Sequence, residues 1–153
     1  MRKVKIGDVV EIRTRQGLAY AHYTHKHKLY GALLRVFNGI HDAPLNTYED
    51  VVTQRPAFSV FFLLSAAVNK QIVSIVGNVA VPGEAQIFPI FRGGTVHPST
   101  QKVEVWWLWD GEREWRVGDL TDEQRTFPIR GVWNDTLLIE RIESHWTPET
   151  DPT

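Results

Sequence analysis

At 153 residues, with 42% hydrophobic and 23% charged side chains, the chain is long enough to bury a core and too apolar for disorder over most of its length. No cysteine is present, so disulfides and cysteine-based zinc sites are excluded as the source of stability. The formal net charge is −1, but residues 1–37 hold eight Lys/Arg against two Asp/Glu, and residues 38–153 hold nine against sixteen. That asymmetry becomes a basic face and an acidic face only where folding gathers each set, and such faces steer partners of opposite charge.

The opening "MRKVKIGDVVEI" shows neither an apolar h-region nor a small-residue cleavage site, which predicts no secretion by a standard signal. Val4, Ile6, Val10 and Ile12 share one parity around Gly7 and Asp8, as in a half-buried strand. Gly17 in "TRQG" supplies a turn, "LAYAHY" returns, and "KLYGALLRVFNG" makes a third strand closed by Asn38 and Gly39. Residues 40–55 read as a long loop with one helical turn near "YEDVV". "FSVFFL" is apolar on both parities and belongs in a sheet centre or under a covering element. The run Ala57 to Val68 is too short for the roughly 18 to 20 residues that span a bilayer.

"SAAVNKQ" reads as a short helix or an irregular crossing, and "IVSIVGNVAV" as a strand ending at Pro82 and Gly83. Pro89 in "IFPIF" cannot donate a ladder hydrogen bond, which predicts an edge or a loop. "LTDEQR" has Thr121 and Gln124 at capping-box spacing, for a short helix near 122–126. "WNDTLLIERIES" fits a helix capped by Asn134 or Asp135, with Leu138 and Ile142 four apart, and also fits a strand. The expected architecture is mainly β (α+β): a strongly curved antiparallel sheet or SH3-like partial barrel with one to three short helices. One domain over 1–146 and a frayed tail over 147–153 complete it.

Between these elements, "VEVWWLWDGEREW" forms a tryptophan hairpin around Asp110 and Gly111. A two-residue loop sets Trp106 opposite Trp115; a three-residue loop sets Val105 opposite Trp115 and gathers Val103, Val105, Trp107, Trp115 and Val117 on one side. The second register buries a consistent apolar set and is preferred. It leaves Trp106, Leu108, Glu112, Glu114 and Arg116 as the candidate partner-binding patch, apolar groups ringed by charge.

Catalytic signals are weak. No G-x-S-x-G elbow surrounds Ser59, Ser65, Ser74, Ser99 or Ser144, and "RGG" lacks the rest of a phosphate loop. Glu112 and Glu114 read as solvated carboxylates. His22, His25 and His27 in "HYTHKH" lack a fixed carboxylate or cysteine partner, so neither a metal nor another cofactor is expected. Tyr20, Tyr23 and Tyr30 among Arg13, Arg15, Lys26, Lys28 and Arg35 allow an alternative function in nucleic-acid binding, by stacking and phosphate contacts. The slightly acidic whole-chain charge counts against it.

The order of "KIGDVVEIRTRQGLAYAHY", "FSVFFL", "IVSIVGNVAVP" and "RGVWNDTLLIERI" resembles the immunity protein 26 family of bacterial polymorphic-toxin systems, over roughly Lys5 to Ile142. The resemblance implies a cytoplasmic antidote that binds one cognate toxin and blocks it without catalysis. The acidic majority after residue 37 fits a basic toxin such as a nuclease.

Overall fold

The structure is a computed structural model that describes residues 3–153. In chain order the elements are β1 (Asp8–Thr14), β2 (Gly17–His27), β3 (Gly31–Phe37), α1 (Glu49–Val52), β4 (Pro56–Phe62), α2 (Leu64–Asn69), β5 (Val73–Asn78), β6 (Phe91–Gly93), β7 (Trp106–Trp109), β8 (Glu114–Gly118), β9 (Val132–Trp133) and α3 (Asp135–Glu143). The protein is mainly β with three short helices, as its composition and alternation predict. Where one domain over 1–146 was expected, the contacts divide the chain into two compact units, 1–87 with 131–145 and 88–130 with 146–153. Among the described residues no helix is long and apolar enough to cross a membrane.

The first unit is built on an open six-stranded sheet in the order β5-β1-β2-β3-β4-β9. All neighbours are antiparallel except β4 and β9, which run parallel. The short connections at Gly17 and Gly31 suit antiparallel neighbours. Register places Val10 beside Ala21, Ala21 beside Val36 and Val36 beside Phe58, so one apolar row crosses four strands. On the other face Val9, Tyr20 and Phe37 form a core with Val51 and Val52, residues of the helical turn expected near "YEDVV".

The ambiguous segment after Gly131 resolves into both readings in sequence. Val132 and Trp133 form the two-residue strand β9, and α3 then begins with the Asn134 side chain accepting a 2.9 Å hydrogen bond from Leu137 N. The periodic pair Leu138 and Ile142 is buried. Trp133 packs on Phe58, and the Arg141 guanidinium lies 4.4 Å from its ring.

The second unit carries the three-stranded antiparallel sheet β6-β7-β8. Pro89 lies in the loop before β6. The expected capping box is present, with Gln124 N donating to Thr121 Oγ1 and Thr121 N donating to Gln124 Oε1, but it starts a 3-10 turn at Gln124–Thr126 in place of an α-helix. Residues 147–153 are tied down where fraying was expected. Pro148–Thr150 forms a 3-10 turn, Asp151 is buried and accepts from Trp146 Nε1, and Thr153 O accepts from Val103 N. The tail has side-chain caps and a buried carboxylate, which its polar composition does not announce.

Candidate functional site

The tryptophan hairpin does not carry the expected surface. Its register pairs Trp109 with Glu114, Leu108 with Trp115 and Trp107 with Arg116, and shifts between Trp106 and Trp107. The loop therefore holds four residues, 110–113, instead of two or three. Asp110 is the physical reason: its Oδ1 accepts hydrogen bonds from Glu112 N and Arg113 N, which stabilises a wider turn. Those same backbone donors hold the Asp110 carboxyl below its ordinary pKa. Val105 falls outside the strand, and the observed register sets Trp115 opposite Leu108 in place of Val105.

Trp106 and Leu108 are each 4% exposed, whereas Trp107 is 40% and Trp115 39% exposed, the reverse of the expected assignment. Glu112 and Arg116 are exposed, and Glu114 forms an ion pair with Arg130 at 2.7 Å. With its two apolar members buried, the set Trp106, Leu108, Glu112, Glu114 and Arg116 does not form one binding patch. Trp106 belongs to the core of the second unit, beside the Arg92 guanidinium at 4.9 Å.

A different surface, in the first unit, has the anatomy of a binding site. A groove of about 700 Å3 is lined by residues 3–6, by Tyr23, Lys26 and Tyr30, by Gly31 and Ala32, and by residues 62–66 with Asn69. Its floor comes from three adjacent strands, because Lys26 stands beside Ala32 and Ala32 beside Phe62. Tyr23 reaches the same floor through a β-bulge. Tyr23 pairs with Leu34 and His25 with Leu33, so Thr24 is an extra residue and Tyr23 and Lys26, three apart in sequence, fall on one face. Ile6 and Leu63 line the groove and are 50% and 56% exposed. Lys3, Lys5 and Lys26 are its charged lining residues, all exposed.

Comparisons with family models, curated proteins and solved structures find no match. The reading of the groove therefore rests on its own geometry.

One wall of the groove is pinned by the Gly7-Asp8 pair prominent in the sequence. Asp8 is 1% exposed; its carboxylate accepts from Lys5 N at 2.9 Å and Asn78 Nδ2 at 3.0 Å, and its own N–H donates to Lys5 O. Gly7 N donates to Tyr23 O, and Gly7 O accepts from Val79 N. Residues 5–8 are thus held as a turn against the end of the sheet, and residues 3–6 line the groove beside it.

His22, fully buried, completes this network. Its Nε2 lies 3.0 Å from Gly7 O and 2.8 Å from Val79 O. Carbonyls only accept, so the proton sits on Nε2, and Nδ1 is left without a partner among the described residues. Burial lowers the His22 pKa, against the raising effect of the two carbonyls. The unfolded chain, with His22 near 6.5, then takes up the proton first. Its contribution to stability is complete above pH 6.5 and is lost as pH falls below that value. Unfolding free energies from urea titrations between pH 7.5 and 5 are expected to drop in the wild type by up to about 1 kcal/mol per pH unit from this group, and less steeply in His22→Gln. Equal slopes would count against the assignment.

The other histidines of "HYTHKH" are also used locally. His25 Nε2 lies 2.8 Å from Gln86 O, and His27 Nδ1 accepts from Leu29 N and Tyr30 N. Tyr20 and Tyr23 are 1% and 4% exposed, so neither offers a ring face for stacking a base. Burial pushes the Tyr20 phenol up to about 12, and it donates to Glu11 Oε2 while accepting from Leu45 N. Tyr30 remains half-buried, its ring against Phe61 and His27. Sequence alternation could not find the groove, since the bulge at Thr24 breaks the parity on which that reading depends.

Proposed function

We propose that the chain is a non-catalytic binding module of immunity type, which holds one cognate bacterial toxin by protein-protein contact in the cytoplasm. The observation that carries this reading is the groove of the first unit: an apolar centre with a charged rim, and two aliphatic side chains, Ile6 and Leu63, left half exposed at its edge. That is the anatomy of a protein interface. The order of sequence motifs that resembles immunity protein 26 supports the same reading, and Gly7-Asp8, its opening motif, is the pair that fixes a groove wall. The site replaces the hairpin patch, and its lysines give it a charge opposite to the one that a basic toxin would seek.

Leu63→Asp separates binding from folding. Leu63 is the N-cap residue of α2 and makes no side-chain cap, and aspartate is preferred at that position. The variant is expected to keep the wild-type unfolding midpoint or exceed it, while placing a desolvated charge in any apolar interface. Tagged wild type and Leu63→Asp would be used to capture partners from nuclease-treated lysate of the native source. One protein should co-purify with the wild type, be lost with the variant, and arrest growth when expressed without the chain. Recovery of nucleic acid alone, or equal capture by both proteins, would overturn the proposal.

A further inference from the structure

The lining of the groove defines the chemistry of what it holds. Its charged lining residues, Lys3, Lys5 and Lys26, are all cationic, and among the described residues no carboxylate lines it. Tyr23, 4% exposed, contributes a phenol whose hydroxyl has no hydrogen-bond partner among the described residues. The Tyr23 hydroxyl is not sealed from solvent and can donate into the groove, and an ammonium offers donors only. The polar part of the site is therefore complementary to carboxylates. Ser65 and Asn69 add neutral polar groups, and the apolar lining, Ile6, Ala32, Phe62, Leu63 and Leu64 among it, calls for aliphatic or aromatic side chains.

Rested on the reading of the chain as a partner-binding module, we infer that the groove receives an acidic amphipathic segment of the partner protein, with Asp/Glu facing Lys3, Lys5, Lys26 and the Tyr23 hydroxyl, and Leu-, Ile- or Phe-type anchors on the floor. A small anion enclosed in the cavity would leave Leu63 and Ile6, 56% and 50% exposed, uncovered at the edge. A length of polypeptide covers both. A nucleic-acid strand would satisfy the lysines, but its phosphates offer nothing to the aliphatic rim. Opposite charge also speeds encounter, and that gain falls with ionic strength.

The test is a selection of random displayed peptides, about twelve residues long so as to span roughly 40 Å when extended, on the full-length chain. Lys5→Glu/Lys26→Glu serves as the counter-selection. Both lysines are exposed, so the double variant should fold, which its unfolding midpoint would verify. The enriched peptides should combine two or more Asp/Glu with aliphatic or aromatic residues. A synthetic consensus peptide, followed by fluorescence anisotropy, should bind the wild type at least about tenfold more tightly than the double variant, and more weakly at high salt. It should also lose affinity for Tyr23→Phe, which keeps the ring and removes only the donor. Enrichment of basic or uncharged peptides, no enrichment, or indifference to the charge reversal would overturn the inference. So would displacement of the peptide by a single-stranded oligonucleotide or by phosphatidylglycerol vesicles at lower concentration than unlabelled peptide. The two proposals fail separately. A toxin captured by the wild type and lost with Leu63→Asp, alongside peptides that are not acidic, would leave the binding module standing and remove the acidic segment.

Discussion

Arg92→Ala is expected to be the most destabilising single change in the second unit, by about 3 to 5 kcal/mol, which is the range for removing a large buried side chain together with its hydrogen bonds. Arg92 is fully buried on β6. Its Nη1 donates to Arg125 O and its Nη2 to Pro148 O, both at 2.7 Å. One guanidinium thus joins the β6 strand, the 3-10 turn after the capping box and the C-terminal turn, with the Trp106 ring beside it. Burial lowers its pKa, the Arg125 cation lowers it further, and Asp151 and Glu149 oppose both. An arginine stays charged under these conditions. Arg92→Lys keeps the charge but loses the fork that reaches two separate carbonyls, so it should recover only part of the loss. Arg92→Ala leaves both carbonyls unpaired in a cavity, and hydrogen exchange of residues 146–153 should rise toward unfolded rates. Unchanged exchange and midpoint would show that the tail is held by other contacts.

Gly7→Ala is the second large effect, expected near 2 kcal/mol, the order of cost for a side chain in a left-handed backbone without room. Gly7 has φ +96°, and an added Cβ would stand 3.0 Å from the Asn78 amide and from Val79 O. Both contacts belong to the network that also holds Asp8 and His22. The substitution should therefore act twice, lowering the unfolding midpoint and loosening the wall formed by residues 3–6. Partner affinity should fall even at temperatures where the variant remains folded. A variant with a lowered midpoint and wild-type affinity would mean that this wall is not part of the interface.

Much of the first unit was legible in the sequence. Alternation and turn residues locate β1 to β5, "YEDVV" gives α1, "SAAVNKQ" takes the helical of its two readings as α2, and α3 is capped by Asn134, one of the two residues its sequence offers. These elements are governed by local preferences, which sequence patterns carry. The parallel pairing of β9 with β4 was not legible, because a strand of two residues has no periodicity to read. The candidate site was missed for two different reasons. At the hairpin, Asp110 widens the turn through its side chain and changes the register, and Trp106 and Leu108 are buried where alternation assigned them to the outer face. In the groove, the extra residue Thr24 brings Tyr23 and Lys26 to the same face, while parity alone assigns them to opposite ones. What the sequence did offer was the Gly7-Asp8 pair and the basic bias of residues 1–37, three of whose lysines line the groove.

The most direct measurement of the central claim is the affinity of the co-purified partner for four purified proteins: wild type, Leu63→Asp, Lys5→Glu/Lys26→Glu and Trp107→Ala. The groove account predicts a loss of at least about a hundredfold for Leu63→Asp, a substantial loss for the lysine pair, and less than about a threefold change for Trp107→Ala, since interface energy concentrates in a few anchors. Full affinity in Leu63→Asp with loss in Trp107→Ala would contradict it and return the binding site to the tryptophan hairpin.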